Sequence, residues 1–157
     1  MSTHATRLLK QAAVPYTEHF YRYEEHGGTR VSALALGVDE HAVIKTLVME
    51  DEKGAPLIIL MHGDRVVSTK ELARQIGAKS IQPCKPDIAN KHSGYLVGGT
   101  SPFGTKKAMP VYAEATIFDL DAIYLNGGSR GFLVGLAPKD LDKVLKVNRV
   151  SVAIVHP

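Results

Sequence analysis

Apolar residues fall at helical spacing in a few short stretches of this chain, and alternate with polar ones or run together in many more. Thr3 to Ala13 places Leu8, Leu9 and Ala12 or Ala13 on one side of a short helix, which Pro15 closes. Tyr16 to Tyr23 reads as a strand rich in aromatic residues, broken off by Gly27-Gly28. Val31 to Leu36 is a helix stopped by Gly37. Val43 to Glu50 and Pro56 to Met61 are strands joined by the polar loop Asp51-Glu52-Lys53-Gly54, and the almost unbroken apolar run of the second suits a buried strand. Ser68 or Thr69 caps a helix over Lys70 to Ile76, with Glu71 at the capping-box position after Ser68 and Gly77 at the end.

A short strand near Ile81 and a short helix from Pro86 follow. Tyr95 to Val97 reads as a short strand entering a long glycine loop, Gly98 to Lys107. Pro110 to Ala113, Ile117 to Leu120 and Ile123 to Asn126 have strand character, and Gly127-Gly128 turns the chain into Gly131 to Leu136. Pro138 opens a helix to Lys146, and Val150 to Val155 is a last strand. Strands and helices do not alternate regularly, which argues against a doubly wound parallel sheet. The expected fold is α+β: a mixed, mostly antiparallel sheet or partly closed barrel with peripheral short helices, in one domain over residues 1–157 with no repeats or linkers.

Composition narrows this only a little. A chain of 157 residues is enough for one core, and 45% hydrophobic with 22% charged residues excludes disordered and low-complexity classes. One cysteine, Cys84, excludes a disulfide framework or a Cys-rich metal site and suits a reducing cytosol. No apolar stretch is long enough for a membrane span or a signal sequence, so the expected location is cytoplasmic. Charge is more informative. The formal net charge is +3, but Lys70 to Lys107 holds seven basic and two acidic residues, a local +5 on a remainder of −2. Such a segment is either a polyanion-binding face or a set of solvated lysines on scattered turns.

Three stretches have the residue types for chemistry. Lys45 sits mid-strand on the same face as Val43, Leu47 and Met49, where a lysine must snorkel, meet an acid or line a polar pocket, unless it protects a sheet edge. Gly98-Gly99-Thr100-Ser101-Pro102-Phe103-Gly104 combines three glycines and a proline, so its N–H groups can approach a ligand closely, and Lys106 and Lys107 add charge. It is neither a Walker A loop, because Thr105 stands where the lysine belongs, nor a dinucleotide fingerprint. Gly127-Gly128-Ser129-Arg130-Gly131 is a hairpin turn with an arginine suited to a carboxylate or phosphate. The seven histidines (His4, His19, His26, His41, His62, His92, His156) show no ligand spacing, so neither a metal nor another cofactor is expected. Cys84 reads as an ordinary small residue, and Tyr21 and Tyr23 as core or base-stacking aromatics.

The residues Val43-Ile44-Lys45-Thr46-Leu47-Val48, Gly94 to Gly104 and Tyr124 to Gly131 together resemble the YbaK family of aminoacyl-tRNA deacylases, relatives of the editing domain of bacterial prolyl-tRNA synthetases. The resemblance covers nearly the whole chain. It implies removal of a wrong amino acid from tRNA, chiefly Cys from tRNA(Pro) and also from tRNA(Cys), with the acceptor end of aminoacyl-tRNA and prolyl-tRNA synthetase as partners. Lys45 matches the family's essential lysine, and Gly98, Gly99, Thr100 and Ser101 match its glycine loop. Tyr21, Thr46, Gly104, Gly128, Ser129 and Arg130 are the expected substrate-binding residues. Leu133 and Gly135 stand where some relatives carry acidic residues.

The substrate ester is already activated, so positioning and an oxyanion cradle supply enough acceleration, and the lack of a Ser/His/Asp constellation is no obstacle. The substrate's own thiol is a candidate nucleophile. The alternatives are a deacylase for another amino acid, such as Ala-tRNA(Pro), and a non-catalytic tRNA-binding module acting with a synthetase.

Overall fold

A computed structural model describes residues 1–155; His156 lies outside the described residues. The chain begins α1 (His4–Gln11), β1 (Thr17–Phe20), α2 (Gly28–Leu36), β2 (Ile44–Asp51), β3 (Pro56–His62), β4 (Arg65–Val67) and α3 (Thr69–Ile76). It continues β5 (Ile81–Pro83), α4 (Pro86–Ser93), β6 (Val111–Glu114), β7 (Ile123–Ser129), β8 (Phe132–Leu136), β9 (Val147–Val150) and β10 (Ala153–Val155). Short 3-10 turns occupy Glu40–Ala42, Ala115–Asp119 and Pro138–Lys143.

The strands form open sheets and do not close into a barrel: β5-β2-β3-β6-β9, β1-β8-β7 and the pair β10-β4. Pairing is antiparallel except at β3–β6 and β6–β9, so the expected mixed, mostly antiparallel α+β fold is what forms. β3 explains its own sequence. Ile58 and Leu60 enter one core cluster with Leu9, Phe103, Leu125 and Phe132, while Leu57, Ile59 and Met61 enter another with Leu72 and Ala73 of α3. A central strand buried on both faces has no polar side to show, hence the continuous apolar run.

Local signals were accurate where they were self-contained. Ser68 caps α3 by accepting from the Glu71 N–H at 3.2 Å, and Gly77 ends the helix in the left-handed region. Only half of the capping box forms, because the Glu71 carboxylate accepts from Arg74 and Gln75, and the Ser68 N–H donates to Val152 O.

Six expectations are corrected. Tyr95 to Val97 is turn, not strand, and the first strand stops at Phe20 instead of reaching Tyr23. Ile117 to Leu120 lies in and just beyond a 3-10 turn that buries Ile117. Pro138 opens a 3-10 turn, not an α-helix, and residues 150–155 fall in two strands, because the buried Glu114 carboxylate accepts from the N–H groups of Val152 and Ala153 at 2.6 and 2.8 Å. Gly127-Gly128 is a bulge inside β7, opposite the Phe132 ring that a Cβ on Gly127 would meet at 2.4 Å; the turn itself is Arg130-Gly131.

Candidate active site

The site exists because β2 is only partly covered along its outer edge. β5 pairs with Met49–Asp51 alone, and at the other end Val43 makes a single bridge to Tyr124 of β7. Among the described residues no strand pairs with that edge between positions 44 and 47, and a cleft of about 780 Å³ opens there. It reaches both faces of β2, so Lys45 and Thr46, which alternate along the strand, both line it. Tyr21, Tyr23, Cys84, Gly98, Thr100, Asn126, Arg130 and Leu133 complete the parts relevant to chemistry. An enclosure of this size suits a small-molecule ligand or the end of a larger one.

Lys45 is half-buried, and its ammonium donates to the Arg65 carbonyl at the start of β4. Burial lowers its pKa from the usual lysine value, and the nearby Glu40 and Asp64 carboxylates act in the opposite sense. Among the described residues the buried Thr46 hydroxyl has no hydrogen-bond partner, which leaves it free to bond a ligand at the wall of the cleft. Burial and the neighbouring Tyr23 raise the Tyr21 phenol, while the Tyr21 N–H donates to Gly131 O at 3.0 Å. Burial and Glu50 push the Cys84 thiol up to about 11, so it stays protonated and unreactive.

The glycine loop is built by its own hydrogen bonds. The Val97 N–H donates to Asn90 Oδ1 at 2.9 Å, Gly99 N–H to Leu96 O at 2.8 Å, and Tyr95 OH to Phe103 O at 2.6 Å. Among the described residues the N–H groups of Gly98 and Thr100 have no acceptor, and both residues line the cleft. Arg130 braces the loop: its Nε donates to Val97 O at 3.0 Å, and its guanidinium carbon lies 5.1 Å from the Tyr23 ring centre.

Lys45, Thr46, Tyr21, Gly98, Thr100 and Arg130 are therefore brought together, whereas Gly99, Ser101, Gly104, Gly128 and Ser129 stand behind the wall. Gly99 packs on the backbone of Ser129 and Arg130, Ser101 is fully buried and accepts from the Phe103 N–H at 3.1 Å, Gly104 lies against His4, and Gly128 against Tyr95. Tyr23 and Asn126 line the cleft without being among the expected substrate-binding residues; for Tyr23 the available signal is its two-residue spacing from Tyr21. Leu133 lines the cleft directly, while Gly135 is pressed against Thr17, where a Cβ would lie 2.6 Å from the hydroxyl. The basic segment is split. All seven of its cationic residues are exposed, but Lys70 and Arg74 belong to α3, which packs on the other core cluster, and none of the seven lines the cleft, which α3 and α4 border through Thr69, Pro86 and Ala89. Among the described residues no group of three His, Cys, Asp or Glu side chains could hold a metal ion, and no helix is long and apolar enough to cross a membrane.

Residues 28–144 match the family described as aminoacyl-tRNA editing domain. The chain belongs to that family. As an editing domain it is a deacylase of aminoacyl-tRNA. It is 32% identical, over 87% of its length and 84% of the relative's, to EbsC of Enterococcus faecalis, a protein provisionally named Cys-tRNA(Pro)/Cys-tRNA(Cys) deacylase. It is also 30% identical to part of a proline–tRNA ligase of Nitratidesulfovibrio vulgaris, over 67% of this chain but only 18% of the ligase. The fold of the editing domain is shared with the crystal structure of a protein provisionally described as a trans-editing enzyme for prolyl tRNA synthetase. That match has a TM-score of 0.83 at 20% identity, covering 98% of this chain and 99% of the other.

Proposed function

We propose that this editing domain works as a free-standing unit that clears Cys-tRNA(Pro), and Cys-tRNA(Cys) as well. The observation that carries the reading is the meeting of a half-buried lysine, an unpartnered buried threonine hydroxyl and two unpartnered loop N–H groups in one cleft. The likeness to EbsC supports the choice of cysteine.

In this scheme the Gly98 and Thr100 N–H groups receive the oxyanion that develops on the ester carbonyl, and Lys45 holds the phosphate or ribose of the terminal adenosine. Gly99 and Ser101 act by shaping the loop. The substrate's sulfur attacks its own ester carbonyl, the bond from that carbon to the ribose oxygen breaks, and the thiol proton ends on the released ribose hydroxyl. The thiolactone so formed is opened by water to free cysteine. Prolyl-tRNA synthetase is the proposed source of the mischarged tRNA, and the basic residues beside the cleft meet the acceptor end, so binding weakens as salt rises.

Deacylation of Cys-, Ala- and Pro-tRNA(Pro), with free and S-methylated cysteine, tests this. Free Cys should be released fastest, and the blocked thiol should slow release about 10-fold or more. Equal rates on Ala and Cys would overturn the cysteine assignment, and tRNA binding without release above the spontaneous rate would leave a binding module. The protein's own thiol takes no part in the scheme. Cys84→Ser should keep deacylation within about 2-fold of wild type, and a larger loss would place Cys84 in the reaction.

A further inference from the structure

Beside the cleft, a polar cluster ties residues 40–45 to the link between β3 and β4. His41 Nδ1 lies 2.7 Å from Asp64 Oδ1, and Arg65 donates to the other carboxylate oxygen at 2.8 Å. His62 is fully buried, and its ring stacks on His41 with centroids 3.6 Å apart and planes 6° from parallel. Its Nδ1 is 2.7 Å from the His41 carbonyl oxygen and its Nε2 2.7 Å from Thr116 Oγ1. Carbonyl and carboxylate oxygens only accept, so these partners assign the proton to Nδ1 in both histidines. The backbone between them is equally confined. Gly63 N–H donates to Val43 O at 2.7 Å, and a Cβ on Gly63 would lie 2.7 Å from Glu40 O, Val43 O and Thr29 Oγ1.

Two consequences of this cluster converge on Lys45. The Arg65 carbonyl, directly after Asp64 in the chain, accepts from the ammonium. Glu40 and Asp64 are the carboxylates that favour its charged form against burial.

We propose that His41, His62 and Asp64 are positioning residues for Lys45. The stacked, hydrogen-bonded pair fixes the Asp64–Arg65 link, so that the Arg65 carbonyl and the Asp64 carboxylate hold a charged ammonium at the mouth of the cleft. This rests on the reading that Lys45 serves the editing reaction. The groups facing the cluster are consistent with it. Burial lowers the His62 pKa, with the His41 backbone bond opposing, and His41, Asp64 and Glu114 lie near enough to act on its charge, so His62 stays neutral at physiological pH. For Asp64, burial raises the pKa, but the hydrogen bond from His41 and the neighbouring Arg65 outweigh it, so the carboxylate stays ionised.

Asp64→Asn tests the proposal, because it keeps the shape and removes the charge. The kcat for deacylation should fall about 10- to 100-fold with KM little changed. The alkaline limb of kcat/KM should move to lower pH, since a negative charge that favours the ammonium has gone. Lys45 titration, followed by NMR with ¹³C-labelled lysine and assigned through Lys45→Arg, should shift the same way. That readout needs no turnover, so a failure of positioning is distinguishable from a failure of the editing reading. Superimposable Lys45 titrations in wild type and D64N would overturn the proposal even if the rate fell, and Asp64→Ser serves if D64N does not fold. His41→Gln, which keeps a donor for Asp64, should rescue the activity that His41→Phe, which keeps only the ring, loses. The reverse order would also overturn the proposal.

Discussion

Replacing Lys45 with alanine should reduce release of cysteine from Cys-tRNA(Pro) by about 100-fold or more, while the melting temperature stays within a few degrees of wild type. The activity loss follows from removing the half-buried cation that holds the terminal adenosine, because a partly desolvated charge grips a phosphate or ribose more strongly than one in water, and without it the ester is no longer positioned at the loop. The fold should tolerate the change, because the side chain lies at the open edge of β2 and, among the described residues, its one side-chain hydrogen bond goes to the Arg65 carbonyl. The pH dependence has a definite sign. Burial lowers the Lys45 pKa, so its charge, and with it the activity, is lost on the alkaline side at a pH below the ordinary lysine value. Lys45→Arg should lack that limb, since guanidinium keeps its proton. Near wild-type turnover by Lys45→Ala would remove the residue from the scheme.

The second large effect concerns a residue that does not line the cleft. Gly99→Ala should lower deacylation by about 100-fold and destabilise the fold by about 1–3 kcal/mol. A Cβ at Gly99 would lie 2.7 Å from the Arg130 nitrogen and 2.8 Å from the Ser129 carbonyl carbon. Both are backbone atoms of the β7–β8 turn, which cannot swing aside as a side chain can. The loop must instead lift away, taking with it the Gly98 and Thr100 N–H groups and the Val97 carbonyl that Arg130 holds. Rates measured beside thermal melts would check both parts. A variant with normal rates and normal stability would show that the loop does not need this close approach.

How far the sequence foretold these features depended on whether the cause was local. Ser68 and Gly77 delimit α3 because a cap and a left-handed stop act within one helical turn. The hairpin between β2 and β3 follows equally local turn chemistry. Ile117 to Leu120 misleads because Ile117 and Leu120, three residues apart, reach the same core cluster from a 3-10 turn, with Ile117 fully buried and Phe118 and Leu120 partly so. Gly127-Gly128 looks like a turn until Phe132 is seen packed over it, from the strand on the other side of the hairpin. The half-formed capping box fails for a similar reason, since Val152, in the distant link between β9 and β10, supplies the acceptor for the Ser68 N–H.

The sequence by itself determined the α+β class, the buried central strand, the lysine on β2 and a loop whose backbone can approach a ligand. These are properties of short windows, set by periodicity, capping and glycine. Tertiary structure alone decided that β5 covers only three residues of β2, leaving the edge along which the cleft opens. It also decided that Gly99 and Ser101 support the loop while Gly98 and Thr100 face the cleft, and that His41 and His62, 21 residues apart, stack beside Lys45. Each of these depends on which groups fill a given space, and that is settled only when strands distant in the chain have packed.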